Sequence, residues 1–157
     1  MMETIVRNHI VKHLLDNELI SPSQHGFTKG RLCLTNLLEV LEEWTEILDG
    51  GDCLDVIYLD LKKAFDTVPH RRLIAKLKAY GIRGEVIKWV ECFLKNRKQR
   101  VKLNGASSDE ADVLSGVPQG SVLGPILFLV YINDLPDNIR SKIKLFADDA
   151  IKSVPQN

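Results

Sequence analysis

The sequence predicts an α+β domain, with helices packed on a small antiparallel sheet. Three observations point there. Apolar residues recur at helical spacing in three separate stretches, 3–19, 32–48 and 85–96. A short, mostly apolar run at 54–61 is too short for a typical helix and suits a strand. Two later pairs of short segments, 99–103 with 111–115 and 143–147 with 150–154, flank turn-forming residues as hairpins do. A chain of 157 residues is long enough for one real core, because a domain of this size buries about 70% of its unfolded surface.

Each element has its own signals. In the first helix Ile5, Val6, Ile10, Leu14 and Leu15 fall near helical spacing, and Ser21-Pro22 breaks the stretch. Residues 23–31 form a polar loop with Gly26 and Gly30. The second helix sets Leu34, Leu37, Leu38, Leu41 and Leu48 on one side, and Gly50-Gly51 ends it. Residues 54–61 read as a largely buried strand, since the run is apolar at most positions. Pro69 suits the first turn of a helix running to Tyr80. Gly81 followed by Ile82 suits a left-handed cap with its apolar contact. The helix at 85–96 places Val86, Val90 and Phe93 on one face, with Trp89 close by. The first hairpin crosses a loop containing Asn104-Gly105. Residues 121–135 read as helical with Ser121 as cap. The last hairpin turns at Asp148-Asp149.

Composition excludes several classes. With 45% hydrophobic and 27% charged residues, the chain is neither a disordered tail nor a collagen-like fibre. Cys33, Cys53 and Cys92 are odd in number and form no C-x-x-C, so they read as free thiols, and Cys92 as a small apolar core group. No secretory leader is visible at Met1-Met2-Glu3-Thr4. The longest apolar run, 122–132, is interrupted by Gly124 and Pro125 and falls short of the roughly 20 residues of a membrane span. The expectation is an intracellular protein off the membrane, with nuclear and cytoplasmic placement both compatible. Net charge is zero, which excludes a uniformly basic nucleic-acid coat. Locally the balance shifts: residues 67–104 hold eleven basic residues against two acidic ones. Solvated helix faces account for part of that run. The denser cluster containing Lys95, Arg97, Lys98 and Arg100 suits a phosphate backbone.

The carboxylates carry the chemistry. Asp60 closes an apolar strand, and Asp148-Asp149 follow Leu145-Phe146-Ala147. Three converging carboxylates repel one another unless a cation relieves them. Two Mg²⁺ ions about 3.5–4 Å apart do so in two-metal sites. Taken alone, an Asp-Asp pair is more simply a turn. The loop Gly116-Val117-Pro118-Gln119-Gly120-Ser121 precedes a helical run, and its glycines allow close approach of a ligand to the backbone. His70 reads as a helix-start or packing residue, lacking a partner at metal-ligand spacing.

Together these segments resemble the reverse transcriptases of non-LTR (LINE-type, Jockey-like) retrotransposons. Leu59-Asp60-Leu61-Lys62-Lys63-Ala64-Phe65-Asp66-Thr67-Val68-Pro69-His70 resembles the first catalytic motif. Ser115-Gly116-Val117-Pro118-Gln119-Gly120-Ser121-Val122-Leu123-Gly124-Pro125 resembles motif B, and Phe146-Ala147-Asp148-Asp149 resembles motif C. Gln24-His25-Gly26-Phe27-Thr28-Lys29-Gly30-Arg31 resembles the fingers motif, and Tyr131-Ile132-Asn133-Asp134-Leu135-Pro136 also fits. Four motifs in the correct order are far more specific than any one of them.

The resemblance implies a right-hand polymerase, with a helical fingers-like segment over 1–53 and a partial palm over 54–157 into which the basic helical segment 67–104 is inserted. It implies RNA-directed DNA polymerisation, with RNA template, DNA primer and dNTPs as partners. Asp60, Asp148 and Asp149 hold two Mg²⁺, for which Mn²⁺ substitutes, with the Leu61 carbonyl as a further ligand. The amides of Lys63 and Ala64 face the triphosphate, and Lys29 and Arg31 reach it from the fingers. Phe65 is the aromatic gate against a ribose 2′-hydroxyl; RNA-dependent RNA polymerases usually carry Asp there. Without the motif, Phe65 reads as a core aromatic. Gln119 and Gly120 line the nucleotide and template pocket.

Against the family pattern, the chain stops eight residues after Asp149. The expectation is therefore a fragment with no thumb, and with Pro155 stopping its last strand from donating further. Such a cut exposes strand edges and apolar surface, so weak stability or self-association is expected, with little processive synthesis. A catalytically inactive retroelement remnant that only binds nucleic acid or protein is the alternative. A two-metal nuclease built on the same aspartates is disfavoured by Phe65 and by Pro118-Gln119-Gly120.

Overall fold

The computed structural model describes residues 1–156, and Asn157, the last residue of the expected palm segment, lies outside them. Five helices and seven short strands follow in the order α1 (Met2–Asp16), α2 (Cys33–Asp49), β1 (Cys53–Asp60), α3 (His70–Ala79), α4 (Gly84–Leu94), β2 (Lys98–Gln99), β3 (Lys102–Leu103), β4 (Ala106–Ser107), β5 (Ala111–Asp112), α5 (Gly124–Ile132), β6 (Ile143–Phe146) and β7 (Asp149–Gln156). The α+β expectation of helices with a small antiparallel sheet matches this architecture.

The core is built around α5. Its sequence, Gly-Pro-Ile-Leu-Phe-Leu-Val-Tyr-Ile, is apolar all round, and such a helix must be surrounded. Ile126, Leu127, Phe128, Leu129, Val130 and Ile132 are all buried. Val6, Ile10 and Leu14 of α1, Leu73 and Leu77 of α3, and Ile87, Val90 and Leu94 of α4 belong to the same cluster. At nine residues α5 is shorter than the expected 121–135, and no helix among the described residues is long and apolar enough to cross a membrane.

The main sheet has the order β1-β7-β6, antiparallel throughout. The final strand is therefore central, and it pairs with β1 from Asp60↔Asp149 to Cys53↔Gln156. Pro155 sits opposite Leu54 within β7, which runs on to Gln156. The β6–β7 turn is shifted by one residue from expectation. Phe146 pairs with Asp149, so Ala147 and Asp148 make the turn and Asp149 opens β7.

Several other expectations are corrected. The leucine side of α2 faces solvent: Leu34, Leu37, Leu38, Leu41 and Leu48 are exposed, while Asn36 and Val40 are buried. Polar contacts hold this helix instead, with Trp44 donating to Ser153 Oγ at 3.0 Å and Lys144 bonded to Glu39. Strand β1 is not buried either; Ile57, Tyr58 and Leu59 are exposed on an edge strand with one neighbour. Periodicity reports that a face is apolar, not what covers it.

In α1, Ile5 and Leu15 are exposed, and the helix ends at Asp16, before Ser21-Pro22. Pro69 is the N-cap of α3 rather than part of its first turn. Gly81 has φ 86°, and Ile82 N–H bonds Leu77 O at 3.0 Å, as a left-handed cap requires. In α4, Ile87, Val90 and Leu94 are the buried residues, and Cys92 is exposed rather than core. The first hairpin is two nested ladders, β2–β5 outside β3–β4, with Asn104-Gly105 as the inner turn.

Candidate active site

Three stretches of backbone converge at the end of β1. The pairing Asp60↔Asp149 closes the β1–β7 ladder, and directly opposed residues in an antiparallel pair share one face of the sheet. Asp148 stands in the adjoining turn. Asp60 and Asp148 face one open cleft of about 770 Å³, lined also by Phe27, Leu61, Lys62, Lys63, Ala64, Phe65, Pro118, Gln119, Gly120 and Pro125. Asp149 is exposed beside this cleft and does not line it.

After Asp60 the chain makes a tight turn. Ala64 N–H donates to Leu61 O at 3.1 Å, and Lys63 is left-handed at φ 52°. The Ala64 amide, expected to face the triphosphate, is thus used within its own turn. Phe65 is half-buried. Its ring stacks on Phe128 at 4.2 Å between centroids and 17° between planes, and meets Phe27 edge-on at 6.3 Å. Phe65 therefore packs on the core with one face while lining the cleft.

The loop bearing Gln119 is tied to the turn bearing Phe65. Val117 N–H bonds Phe65 O and Gly116 N–H bonds Val68 O, both at 2.8 Å. Ser115 Oγ donates to Asp66 O at 2.8 Å, and Gln119 Nε2 donates to Asp66 Oδ1 at 2.9 Å. His70 donates to Gly116 O at 2.8 Å, which gives the helix-start histidine a definite task. Asp66 is the organiser that sequence reasoning passed over. Its only signal is its place one residue after Phe65, and nothing in the spacing says that it grips a loop about fifty residues away.

Lys29 and Arg31 do not line the cleft. Lys29 borders a separate cavity of about 170 Å³ with Arg7, Val11 and Leu129. The Arg31 guanidinium donates to Gln24 O at 2.9 Å and to Pro22 O. Lys95, Arg97, Lys98 and Arg100 are exposed at the end of α4 and along β2. Lys95 pairs with Glu91 at 3.8 Å, Lys98 pairs with Glu110 at 3.4 Å, and Arg97 lies 5.7 Å from the Phe93 ring centroid.

Among the described residues, no group of three or more His, Cys, Asp or Glu side chains closes on one point as a ready metal site. Two carboxylates facing one open cleft nonetheless fit Mg²⁺. That ion takes oxygen ligands, commonly one or two carboxylates, and completes its shell with substrate phosphates and water.

Residues 1–156 match the family model for reverse transcriptase (RNA-dependent DNA polymerase). The chain is 32% identical over 155 residues to the probable RNA-directed DNA polymerase from transposon X-element of Drosophila melanogaster, covering 95% of this chain and 17% of that protein. It is 30% identical over 137 residues to the RNA-directed DNA polymerase from mobile element jockey of Drosophila funebris, covering 87% of this chain and 15% of that protein. It is 28% identical over 85 residues to the Pol polyprotein from type-1 retrotransposable element R2 of Popillia japonica, covering 54% of this chain and 14% of that protein. The chain thus spans about one sixth of the length of these relatives. Because the match runs through β1, the Gln119 loop and the β6–β7 turn alike, the chain belongs to the reverse transcriptase family.

Proposed function

We propose that this chain forms the fingers and palm part of an RNA-directed DNA polymerase, which adds deoxynucleotides to a primer 3′-hydroxyl on an RNA template. One observation carries the reading: Asp60 and Asp148 share a cleft with Phe65 and with Gln119-Gly120. Carboxylates for a metal and a fixed aromatic for the sugar then stand in one space.

Asp60 and Asp148 would hold Mg²⁺, or Mn²⁺ in its place, with Asp149 beside them. When bound, two such ions activate the attacking hydroxyl and neutralise the leaving pyrophosphate. The Leu61 carbonyl already accepts the Ala64 N–H and keeps a second lone pair for a metal. Lys62 and Lys63 line the cleft, where their ammonium groups offset triphosphate charge. Phe65 is held against Phe128, so its ring cannot readily swing aside to admit a ribose 2′-hydroxyl. Gln119 is oriented by Asp66 at the nucleotide pocket, with Gly120 next to it. Lys95, Arg97, Lys98 and Arg100 contact the phosphate backbone of template or primer, and this binding weakens as salt rises.

The test is single-nucleotide addition to an RNA–DNA primer–template by the full chain, with Mg²⁺ or Mn²⁺. Asp148→Ala is expected to abolish incorporation and to leave hybrid binding unchanged. Incorporation that survives both Asp148→Ala and Asp60→Ala overturns the proposal.

A further inference from the structure

We propose that Gln24 is a positioning residue for Asp148: its side-chain amide holds the Ala147 backbone in the conformation from which Asp148 faces the cleft. The inference rests on the role given to Asp148 above.

The turn needs such a device. Ala147 and Asp148 form a two-residue hairpin turn with Ala147 at φ 58°. A positive φ at the first turn position normally calls for glycine. For alanine the left-handed region is disfavoured and persists only where the surroundings impose it.

Gln24 imposes it. The residue is 1% exposed. Its Oε1 accepts the Ala147 N–H at 2.9 Å and the Gly26 N–H at 2.7 Å, while Nε2 donates to Ala147 O at 3.4 Å. One side-chain amide thus engages both the N–H and the carbonyl of the strained residue.

Gln24 is itself anchored. Residues 23–25 run beside β6 as a parallel bridge, with His25 N–H to Leu145 O at 2.9 Å and Leu145 N–H to Ser23 O at 2.8 Å. Arg31 holds the Gln24 carbonyl at 2.9 Å. Gly26 completes the fit, because a Cβ there would stand 2.2 Å from Ala147 N. The β6–β7 ladder pairs Leu145↔Ala150 and Phe146↔Asp149 without help from Gln24. The Gln24 side chain therefore acts on the turn rather than on the pairing. Asp60 lies on β1, outside this clamp, so Gln24 sets where Asp148 stands relative to Asp60.

The full chain tests this by amide hydrogen exchange, read by NMR, and by Mn²⁺ binding, read from paramagnetic broadening at Asp60 and Asp148. Gln24→Met keeps the length and removes the polar atoms; Gln24→Glu keeps the acceptor for both N–H groups. Gln24→Met is expected to speed Ala147 exchange selectively by about tenfold, the equivalent of one lost hydrogen bond. It is also expected to weaken Mn²⁺ binding about tenfold, as loss of an orienting partner does. Gln24→Glu is expected to restore Ala147 protection through the retained acceptor, and Leu94→Ala, a remote core change, to alter neither readout selectively. If Gln24→Met fails to fold, Gln24→Leu takes its place, since it likewise removes both polar atoms and is expected to move the same two readouts. The clamp is overturned if Ala147 exchange and Mn²⁺ affinity match wild type in the folded variant, or if Leu94→Ala reproduces the selective change. If Mn²⁺ broadens neither aspartate in the wild type, the polymerase reading fails, and Ala147 exchange alone decides the clamp.

Discussion

His25 is 1% exposed and lies 3.4 Å, through Nε2, from Glu39 Oε2, with no hydrogen-bond partner for either ring nitrogen among the described residues. Burial pushes its pKa below the ordinary 6.5; Glu39 pulls it back, while Arg31 and Lys144 add to the lowering. The unfolded chain then binds a proton at this residue that the folded chain resists. Stability is full above pH 6.5 and falls as pH drops below it. Glu39 acts in a lower window. The bond from Lys144 holds its carboxyl below the ordinary 4.5, so its contribution is lost as pH falls past that value. Melting curves across this range are expected to decline in two limbs. His25→Phe should flatten the upper limb, whereas Glu39→Gln should flatten the lower limb and deepen the upper one, because it removes the charge that pulls the His25 pKa back; a wild-type curve that is flat through both windows contradicts the assignment. Gly116 makes a second residue-scale case. It has φ 92°, and a Cβ there would stand 2.7 Å from Asp66 O. Gly116→Ala meets both a conformational and a steric penalty, so a loss of more than about 1 kcal/mol is expected in thermal or denaturant unfolding.

At the scale of elements, the joint between the Gln119 loop and α5 depends on one hydroxyl. Ser121 Oγ accepts the Gly124 N–H at 2.9 Å and donates to Pro118 O at 2.8 Å. Leu123, not Ser121, is the N-cap of α5, but the hydroxyl ties the first amide of the helix to the Pro118-Gln119-Gly120 turn. Ser121→Ala is expected to cost about 1 kcal/mol, as loss of a partly buried hydrogen bond does. The same variant should speed amide exchange at 119–120, whereas an effect confined to α5 would separate helix from loop. This joint also shows what was legible in sequence. The Gly81-Ile82 stop and the α5 apolar run are local signals, and each corresponds to a local interaction; Ser121, expected as the cap, lies outside the helix, whose N-cap is Leu123. The turn falls at Ala147-Asp148 rather than at the expected Asp148-Asp149, and the contact on Ala147 comes from Gln24, 123 residues away, where no local signal announces it. Phe65 draws notice through the motif that it shares with Asp60, and without that motif it reads as a core aromatic; its seat on Phe128 depends on tertiary folding. The aspartates could be found by motif; the grip of Asp66 on the Gln119 loop could not, since it depends on tertiary folding alone.

Across the whole molecule, apolar burial is lopsided. The main core joins α1, α3, α4 and α5, while the sheet contributes only the small cluster Ile143, Leu145 and Ala150. The exposed apolar residues concentrate on α2 and β1. Leu34, Leu37, Leu38, Leu41 and Leu48 are 44–63% exposed, and Tyr58 is 69% exposed. On α2 the carboxylates toward the sheet are matched, Glu39 by Lys144 and Glu43 by Lys142, so charge fixes the helix in place without covering its leucines. Clustered exposed leucines drive association, and an edge strand with a single neighbour offers a second route through its unpaired backbone. Self-association of the isolated chain is therefore expected, visible as a sedimentation coefficient that rises with concentration. Because apolar contact drives it, added sulfate should strengthen rather than weaken it. The double variant Leu38→Gln with Leu41→Gln should shift the chain toward monomer with little change in melting temperature, since both side chains are already in water. Tyr58→Lys tests the β1 edge in the same way. A monomer at every concentration contradicts the expectation, and association that persists in both variants moves the contact to another surface. Association that dissolves in moderate salt instead assigns it to charge, between the basic segment 67–104 of one copy and the acidic α2 of another.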